Sequence, residues 1–273
     1  MIHNSIIPGD GGFVLTEKPK VEWKKALSMP IEKRLSSVCY GAGKFVAISE
    51  RYDVAAYSTN GITWNRTTMP SSKSWVSVCY GGGKFVAVAY GSNIAAYSTD
   101  GINWNQTTLP ASIAWKSVCY GGGKFVAVGM FDNNAGISIA AYSTDGITWT
   151  QTTMPACSNG WNRSVCYGGG KFVAVAYGSN IAAYSTDGIN WNQTTLPASI
   201  AWRSVCYGAG VFVDVAFSSN IAAYSTDGIT WTQIAMPISP VCNNVCYGEG
   251  KFVAVTDEGF TAAYLEPTYK ELA

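Results

Sequence analysis

Few residues in this chain of 273 have the types and spacing that catalysis or metal binding requires. His3 is the only histidine, and no Cys-x-x-Cys pair occurs. A zinc site needs several histidine or cysteine ligands, and an activated nucleophile needs a neighbouring base such as histidine. The sequence also shows no phosphate-binding loop. The sequence therefore predicts no catalytic residues, no metal site and no cofactor, which favours a protein that is not an enzyme.

Carboxylates are the remaining candidates for chemistry. Asp214 occupies a position that holds alanine in the other copies of a repeated segment. Glu50, Asp53, Asp257 and Glu258 would cluster if the first and last copies of that segment were neighbours. Such a cluster could hold a cation or supply an acid/base pair, and a solvated acidic edge is the alternative. A glycoside hydrolase using Asp214, Glu50 or Asp257 is thus an alternative hypothesis.

These residues lie in a tandem repeat. Residues 80–115 recur letter for letter as residues 167–202. The motif Ser/Asn-Val-Cys-Tyr-Gly occurs six times and defines the first to sixth repeats, at steps of 40, 40, 47, 40 and 40 residues. Its cysteines are Cys39, Cys79, Cys119, Cys166, Cys206 and Cys246. A fixed period of roughly 40 residues indicates a repeat architecture.

One repeat contains four predicted strands. In the second repeat they cover Trp75–Tyr80, Lys84–Ala89, Ile94–Thr99 and Ile102–Thr108. Glycine-rich turns separate them, and the Asp100-Gly101 pair is a strong hairpin signal. Four antiparallel strands per period are typical of a propeller blade. The sequence therefore predicts an all-β, six-bladed β-propeller of four-stranded antiparallel blades.

The sixth repeat lacks a fourth strand with tryptophan, and the N-terminal segment resembles that strand. Trp23 is followed by Met29-Pro30, much as Trp64 is followed by Met69-Pro70. We therefore expect an N-terminal strand around Trp23 to complete the last blade. The predicted organisation is an attachment segment over 1–20, a propeller over 21–267 and a short tail over 268–273.

Composition excludes several classes of function. Charged residues make up 13% of the chain and the net charge is +1, so nothing favours nucleic acid or an acidic membrane surface. The apolar runs are strand-sized, and the N-terminus lacks the pattern of a secretory signal. Equivalent cysteines of successive repeats should lie too far apart for disulfides, although Cys157 and Cys242 fall outside the pattern and could pair.

The turn between the third and fourth strands resembles a known motif. It reads Ser-Thr-Asp-Gly-Ile-Thr-Trp at Ser143–Trp149 and Ser225–Trp231, and nearly the same at Ser98–Trp104 and Ser185–Trp191. Ser58–Trp64 has Asn60 in place of the aspartate. This is similar to the Asp-box of bacterial-neuraminidase-type propellers, one residue shorter. The resemblance implies that this turn is structural and lies on the face opposite the active site. The family includes sialidases, lectin-like propellers and assembly factors. A sialidase needs three arginines around the substrate carboxylate. This chain has five arginines, and their positions do not suggest such a group.

The repeats differ from each other mainly in two loop classes. These are the loops between the second and third strands and the connectors between repeats, which share one face in an up-and-down blade. We call this face the variable rim. Its aromatic and amide side chains suit sugar stacking and hydrogen bonding, and loop drift is the alternative explanation, although drift should also have changed the opposite face. The predicted ligand-binding residues are Tyr52, Tyr90, Asn93, Trp115, Phe131, Asn133, Tyr177, Asn180, Trp202, Phe217 and Asn220.

The sequence thus predicts a non-catalytic recognition module that binds a cell-surface carbohydrate or protein receptor, without nucleic acid or membrane insertion. The near-identical repeats are similar to propellers in phage tail adhesion proteins. That resemblance implies a virion location, with bacterial cytoplasm as the alternative, and attachment to a larger assembly through the N-terminus. A protein–protein scaffold is the competing function.

Overall fold

The computed structural model describes residues 35–50, 52–130, 138–157, 164–217, 219–237, 242–256 and 262–267. The predicted attachment segment, the strand around Trp23 and the C-terminal tail lie outside the described residues. So do Phe131, Asn133, Asp257 and Glu258. In the described part of the chain, no helix has the length and apolar character needed to cross a membrane.

The described chain is built from strands in the predicted order. Each second strand begins at the repeated Lys-Phe-Val segment or its variant, directly after a tight glycine turn. The strands are β1 Leu35–Gly41, β2 Lys44–Ser49, β3 Val54–Ser58, β4 Asn65–Thr68, β5 Ser74–Gly81, β6 Lys84–Tyr90, β7 Ser92–Ser98, β8 Asn105–Ile113, β9 Trp115–Gly121, β10 Lys124–Gly129, β11 Ile139–Ser143, β12 Thr150–Thr153, β13 Ser164–Gly168, β14 Lys171–Val175, β15 Tyr177–Ser185, β16 Asn192–Gly208, β17 Val211–Ala216, β18 Ile221–Ser225, β19 Thr232–Ala235, β20 Cys242–Gly248, β21 Lys251–Thr256 and β22 Ala262–Leu265.

The strands form antiparallel sheets, but not six separate blades. The described sheets are β1–β4, β5–β8 and β9–β12 with four strands each, β13–β19 with seven, and β20–β22 with three. The prediction of six four-stranded blades is wrong in this form. The physical reason is β16, a continuous strand of 17 residues that pairs with β15 in its first part and with β17 in its second.

The fourth strand of each repeat begins later than predicted. In the second repeat it starts at Asn105, after Trp104, and continues past Pro110 to Ile113. The preceding turn holds Ile102 to Trp104 because Asp100 accepts hydrogen bonds from the amides of Ile102 and Asn103. Pro110 is tolerated because the pairing register shifts between Ser92 and Ile94 opposite this part of β8.

The core lies between successive repeats, and one contact recurs from repeat to repeat. The tyrosine of the Val-Cys-Tyr-Gly motif packs on the glycine that ends this motif in the preceding repeat. A Cβ added at Gly121, for example, would lie 1.9 Å from Cγ of Tyr167. Hydroxyls reinforce the interface, since the Ser77 Oγ accepts the Val118 amide at 3.1 Å. The glycine of this motif is therefore needed for packing between repeats.

The six repeated cysteines are free, as expected, and Cys157 and Cys242, which could have paired, are free as well. Those two are buried, whereas the six repeated cysteines are half-buried, apart from Cys246, which is exposed. Burial raises the pKa of the Cys39 and Cys206 thiols to about 12. Because the thiolate is the reactive form, these thiols are poor nucleophiles at neutral pH.

Candidate functional site

The strand pairing brings the two variable loop classes to the same edge of the sheets. Ser92, at the start of β7, pairs with Ile113, at the end of β8. In the fourth repeat Ser179 pairs with Ile200 in the corresponding place. In these two repeats the loop between the second and third strands therefore lies beside the connector to the next repeat, at one edge of the sheet.

Two predicted rim residues are core residues instead. Trp115 and Trp202 have 0% exposure, and so does Trp75 at the same position of the second repeat. The indole Nε1 of Trp115 donates to the carbonyl oxygen of Ala111 at 3.0 Å, and that of Trp202 donates to Ala198 at 2.9 Å. Each connector thus folds back over its own indole. The prediction that these tryptophans bind ligand is wrong, because each indole packs in the core and its Nε1 is already hydrogen-bonded.

The remaining described rim residues are accessible to different extents. Tyr52 and Tyr90 are 48% and 45% exposed, and Tyr177 and Phe217 are half-buried. Tyr52 adopts a φ of 76°, which is uncommon for a residue with a bulky side chain. Among the predicted amides, Asn180 and Asn220 are exposed and Asn93 is half-buried. These side chains leave a discontinuous aromatic and amide surface.

Two cations that the sequence reasoning missed lie against these aromatic rings. The Lys116 Nζ lies 4.2 Å from the centroid of the Tyr90 ring. The guanidinium carbon of Arg203 lies 4.9 Å from the centroid of the Phe217 ring. Both separations fall within the range of cation–π attraction. A signal was present in the sequence, since Lys116 and Arg203 each directly follow the end of the 36-residue duplication.

The acidic residues do not form a described metal site. Glu50 and Asp53 are half-buried near the rim, while Asp257 and Glu258 lie outside the described residues. Within the described ranges, no group of three or more potential His, Cys, Asp or Glu ligands could hold a metal ion. The suggested cluster of four carboxylates therefore stays a prediction.

Asp214 lies in the core between the fourth and fifth repeats. It is 0% exposed on β17, where it pairs with Val205 and Ala223. Neither carboxylate oxygen has a hydrogen-bond partner of normal geometry among the described residues. Burial raises the pKa of Asp214 well above its usual value, and the Val215 amide offsets only part of that effect. Asp214 cannot contact a substrate in this position.

The opposite face carries the repeated serine–aspartate turns. In the second repeat the Ser98 Oγ accepts the Gly101 amide at 2.8 Å, and the Asp100 Oδ1 accepts the amides of Ile102 and Asn103, both at 2.8 Å. The same bonds occur around Asp145, Asp187 and Asp227. These side chains stabilise the turn, as the sequence predicts, because they satisfy backbone donors.

These turns predict a specific effect of pH. Desolvation acts to raise the pKa of Asp227, but hydrogen bonds from Thr230, Ile229 and Ser225 outweigh it and lower the pKa to about 2. The stabilisation is therefore complete above the ordinary aspartate pKa and is lost as the pH falls towards 2. We expect Asp227→Asn to remove this acid dependence with little loss at pH 7, because Asn60 makes the same amide contacts in the first repeat.

Asp227→Ala is the contrasting variant. It removes the acceptor, and we expect it to cost about 1 kcal/mol at pH 7, since the side chain is exposed. Urea unfolding of both variants between pH 2 and 7 measures these effects. Equal losses for Asn and Ala at pH 7 would contradict the hydrogen-bonding role.

Comparisons with known proteins define the fold. No protein-family model and no curated protein matches the chain. A crystal structure of a catalytically inactive histidine-to-alanine variant of virginiamycin B lyase from Staphylococcus aureus, with quinupristin, matches with a TM-score of 0.77 at 12% identity, covering 88% of this chain and 83% of that one. A streptogramin B lyase matches at 0.71 and 11% identity, covering 90% and 86%. YCF48 bound to D1 peptide matches at 0.60 and 14% identity, covering 89% and 85%.

The fold of this chain is that of a β-propeller with antiparallel sheets. At these identities the likeness shows the fold alone. The resemblance to the bacterial-neuraminidase-type family is corrected accordingly. No family model supports it, and these neighbours are lyases and YCF48. The serine–aspartate turn is a structural feature here and not evidence of that family.

Proposed function

We propose that this β-propeller is a non-catalytic recognition module whose variable rim binds an acidic peptide or protein. The observation that carries the proposal is the pairing of rim cations with rim aromatic rings, Lys116 with Tyr90 and Arg203 with Phe217. A cation held against an aromatic ring favours a partner that brings carboxylates and apolar groups together. YCF48, a structural neighbour, was solved with a bound peptide, which supports this class of partner.

The same observation weakens the prediction that the variable rim binds carbohydrate. A sugar ring stacks on an open aromatic face, and at Tyr90 and Phe217 one face of each ring is near a cation. The two tryptophans that would provide the largest stacking surfaces are buried. Carbohydrate binding therefore stays a second candidate. It depends on Tyr52, which is 48% exposed, and on the exposed amides of Asn180 and Asn220.

The residues that could do chemistry also favour a binding function over a catalytic one. The neighbouring lyase loses activity when a histidine is replaced by alanine. This chain has a single histidine, His3, and its buried candidate acid, Asp214, cannot contact a substrate. A lyase or glycosidase reaction at the rim would need other groups. Location in a virion or in the bacterial cytoplasm stays a prediction, as does attachment through the N-terminus.

The test is binding of the whole chain to parallel arrays of acidic peptides, matched amide peptides and glycans. We expect binding to acidic peptides that weakens with added salt. Lys116→Ala and Arg203→Ala should each raise the Kd about 5- to 10-fold, because each removes a charged contact. Lys84→Ala is the matched control, since it removes a lysine from the opposite face. Glycan binding without peptide binding, or equal loss in the control, would reject the proposal.

A further inference from the structure

The first strand of five repeats carries one extra residue near its start. In β5, Trp75 pairs with Ala89 and Ser77 pairs with Val88, so Val76 is inserted opposite two consecutive residues of β6. Such an insertion is a β-bulge, which re-aims a side chain and is frequent next to active sites. The same insertion occurs in β1, β9, β16 and β20. We call the inserted residues the bulge residues: Ser36, Val76, Lys116, Arg203 and Asn243.

The bulge lets the residues on its two sides contact different neighbouring repeats. Ala89 and Val88 are consecutive in β6, so Trp75 and Ser77, which pair with them, point to opposite faces of the sheet. The Trp75 indole packs in the core between the first and second repeats. The Ser77 Oγ accepts the amide of Val118 in the third repeat. Both contacts are structural, and the residue between them can change without loss of either.

The bulge residues differ in type, whereas the strand that follows them is nearly constant. The next five residues read Ser-Val-Cys-Tyr-Gly or Asn-Val-Cys-Tyr-Gly in all six repeats. Even the 36-residue duplication ends directly before this position, at Trp115 and Trp202, and Lys116 and Arg203 follow. Drift of surface loops does not explain this variation, because the position lies inside a strand between two packing contacts. Variation confined to one re-aimed side chain favours a role in contacting a partner.

The bulge residues lie on neighbouring strands at the variable rim. Each follows the connector from the preceding repeat and directly precedes the constant motif. The first strands of neighbouring repeats approach each other to within 8 Å between Cα atoms. The bulge residues therefore form an arc across these strands, although β13 is described only from Ser164, one residue after the equivalent position. Ser36 is exposed and the other four bulge residues are half-buried, so part of each residue contacts solvent.

The chemistry of this arc changes from one repeat to the next. The Ser36 hydroxyl is engaged within the protein, because it donates to the carbonyl oxygen of Trp75 at 2.7 Å. Val76 packs partly against the core and presents the rest of an apolar side chain. Lys116 follows in the third repeat and Arg203 in the fifth, and an aromatic ring holds each of these cations at the rim. The arc thus offers one apolar contact followed by two cationic contacts.

We propose that the bulge residues determine which peptide this module binds, with Val76 contacting an apolar side chain and Lys116 and Arg203 contacting carboxylates. This inference rests on the proposed function and concerns the same surface. An extended peptide advances by roughly 3.3 Å per residue, so one step between neighbouring first strands corresponds to about two residues of the partner. The expected partner therefore has an apolar residue about two residues from one acidic residue and about six residues from a second.

The first experiment measures binding of capped peptides to the full chain by fluorescence anisotropy. The ordered peptide, Leu-Ser-Glu-Ser-Ser-Ser-Glu, is tested in both chain directions beside Glu-Ser-Ser-Leu-Ser-Ser-Glu, which has the same composition. We expect the ordered peptide, in one direction, to bind about 5-fold more tightly, the effect of partly burying one apolar side chain. Equal binding of all peptides would overturn this inference and leave acidic-peptide binding standing. No binding of any would overturn the proposed function and this inference with it.

The second experiment changes Val76 in the full chain. Val76→Lys should weaken binding of the ordered peptide and strengthen binding of its variant with glutamate in place of leucine about 5-fold, because it adds a charged contact. Lysine fits at this position, since Lys116 occupies it in the third repeat. Ser72→Lys is the matched control, because it adds the same charge at an exposed residue of the same connector. Equal strengthening in the control would show a general charge effect and overturn the inference.

Val76→Ser is the second variant, because serine occupies this position in the first repeat. It removes the apolar contact without adding charge. We expect it to weaken binding of the ordered peptide about 5-fold and to leave binding of the glutamate variant unchanged. Thermal unfolding of each protein variant checks that it is folded. If neither substitution of Val76 changes the preference between the two peptides, the bulge residues do not determine specificity.

Discussion

Replacing Asp214 with alanine should stabilise the protein by roughly 2–4 kcal/mol at pH 7, the usual cost of a buried polar or charged group without a partner. Asp214 is fully buried and lacks a partner of normal geometry among the described residues. The equivalent position holds alanine in the other five repeats. The substitution therefore restores the residue type around which this interface is built. Most core substitutions destabilise, so the sign of the effect is diagnostic.

The gain should depend on pH in a defined direction. Burial raises the pKa of Asp214 above its value in the unfolded chain, which is near 3.8. The folded protein therefore keeps a proton that the unfolded chain releases, and the ionisation penalty grows as the pH rises above 4. Well below pH 4 the carboxyl is neutral in both states, and only the cost of burying a neutral polar group remains. The gain for Asp214→Ala should accordingly be larger at pH 7 than at pH 4.

Two variants control this prediction. Asp214→Asn removes the ionisable group but leaves a buried polar side chain, so it should abolish the pH dependence and recover only part of the stability. Ala174→Asp places a carboxyl at the equivalent buried position of the fourth repeat and should produce both the loss and its pH dependence. Urea unfolding at pH 4 and 7 measures all three. Destabilisation by Asp214→Ala at pH 7 would show that the carboxylate makes a favourable contact.

Much of the fold follows from local patterns in the sequence. The glycine turns, the alternating strands and the serine–aspartate turns are predictable because each depends on residues close in the chain. Phe85 and Trp104, which recur in the repeats, pack near each other in the second repeat, and their ring centroids lie 6.5 Å apart. Local chemistry of this kind is the same in every repeat. Comparing the repeats with each other is therefore enough to identify these turns and strands, without a second sequence.

The features that sequence reasoning missed depend on contacts between repeats. The continuity of β16 joins two repeats into one seven-stranded sheet, although residues 192–202 are identical to residues 105–115, where β8 and β9 are separate strands. The burial of Trp115 and the position of Lys116 over Tyr90 likewise depend on how neighbouring repeats pack. Alternation along a strand predicts which side chains share a face. It does not predict which face the next repeat covers.

The last prediction concerns the contact that joins successive repeats. Gly121→Ala should lower the free energy of unfolding by roughly 3 kcal/mol, an effect typical of overpacking a tight core. The added Cβ would lie 1.9 Å from Cγ and 2.5 Å from Cβ of Tyr167. The clash involves the base of that side chain, so rotation of the ring cannot relieve it and the two repeats must separate. Backbone strain does not contribute, because Gly121 is not among the residues with positive φ.

A double-mutant cycle separates this clash from a general intolerance of alanine at Gly121. Tyr167→Ala removes the ring and should itself destabilise the protein, because the ring packs on Phe172 with centroids 4.7 Å apart. In that background Gly121→Ala should cost clearly less, because the ring atoms are gone and only the Cβ of residue 167, 2.5 Å from the added Cβ, still has to shift. Urea unfolding of the four proteins gives the coupling free energy. If Gly121→Ala costs the same with and without the Tyr167 ring, the glycine is required for a reason other than close approach of the tyrosine.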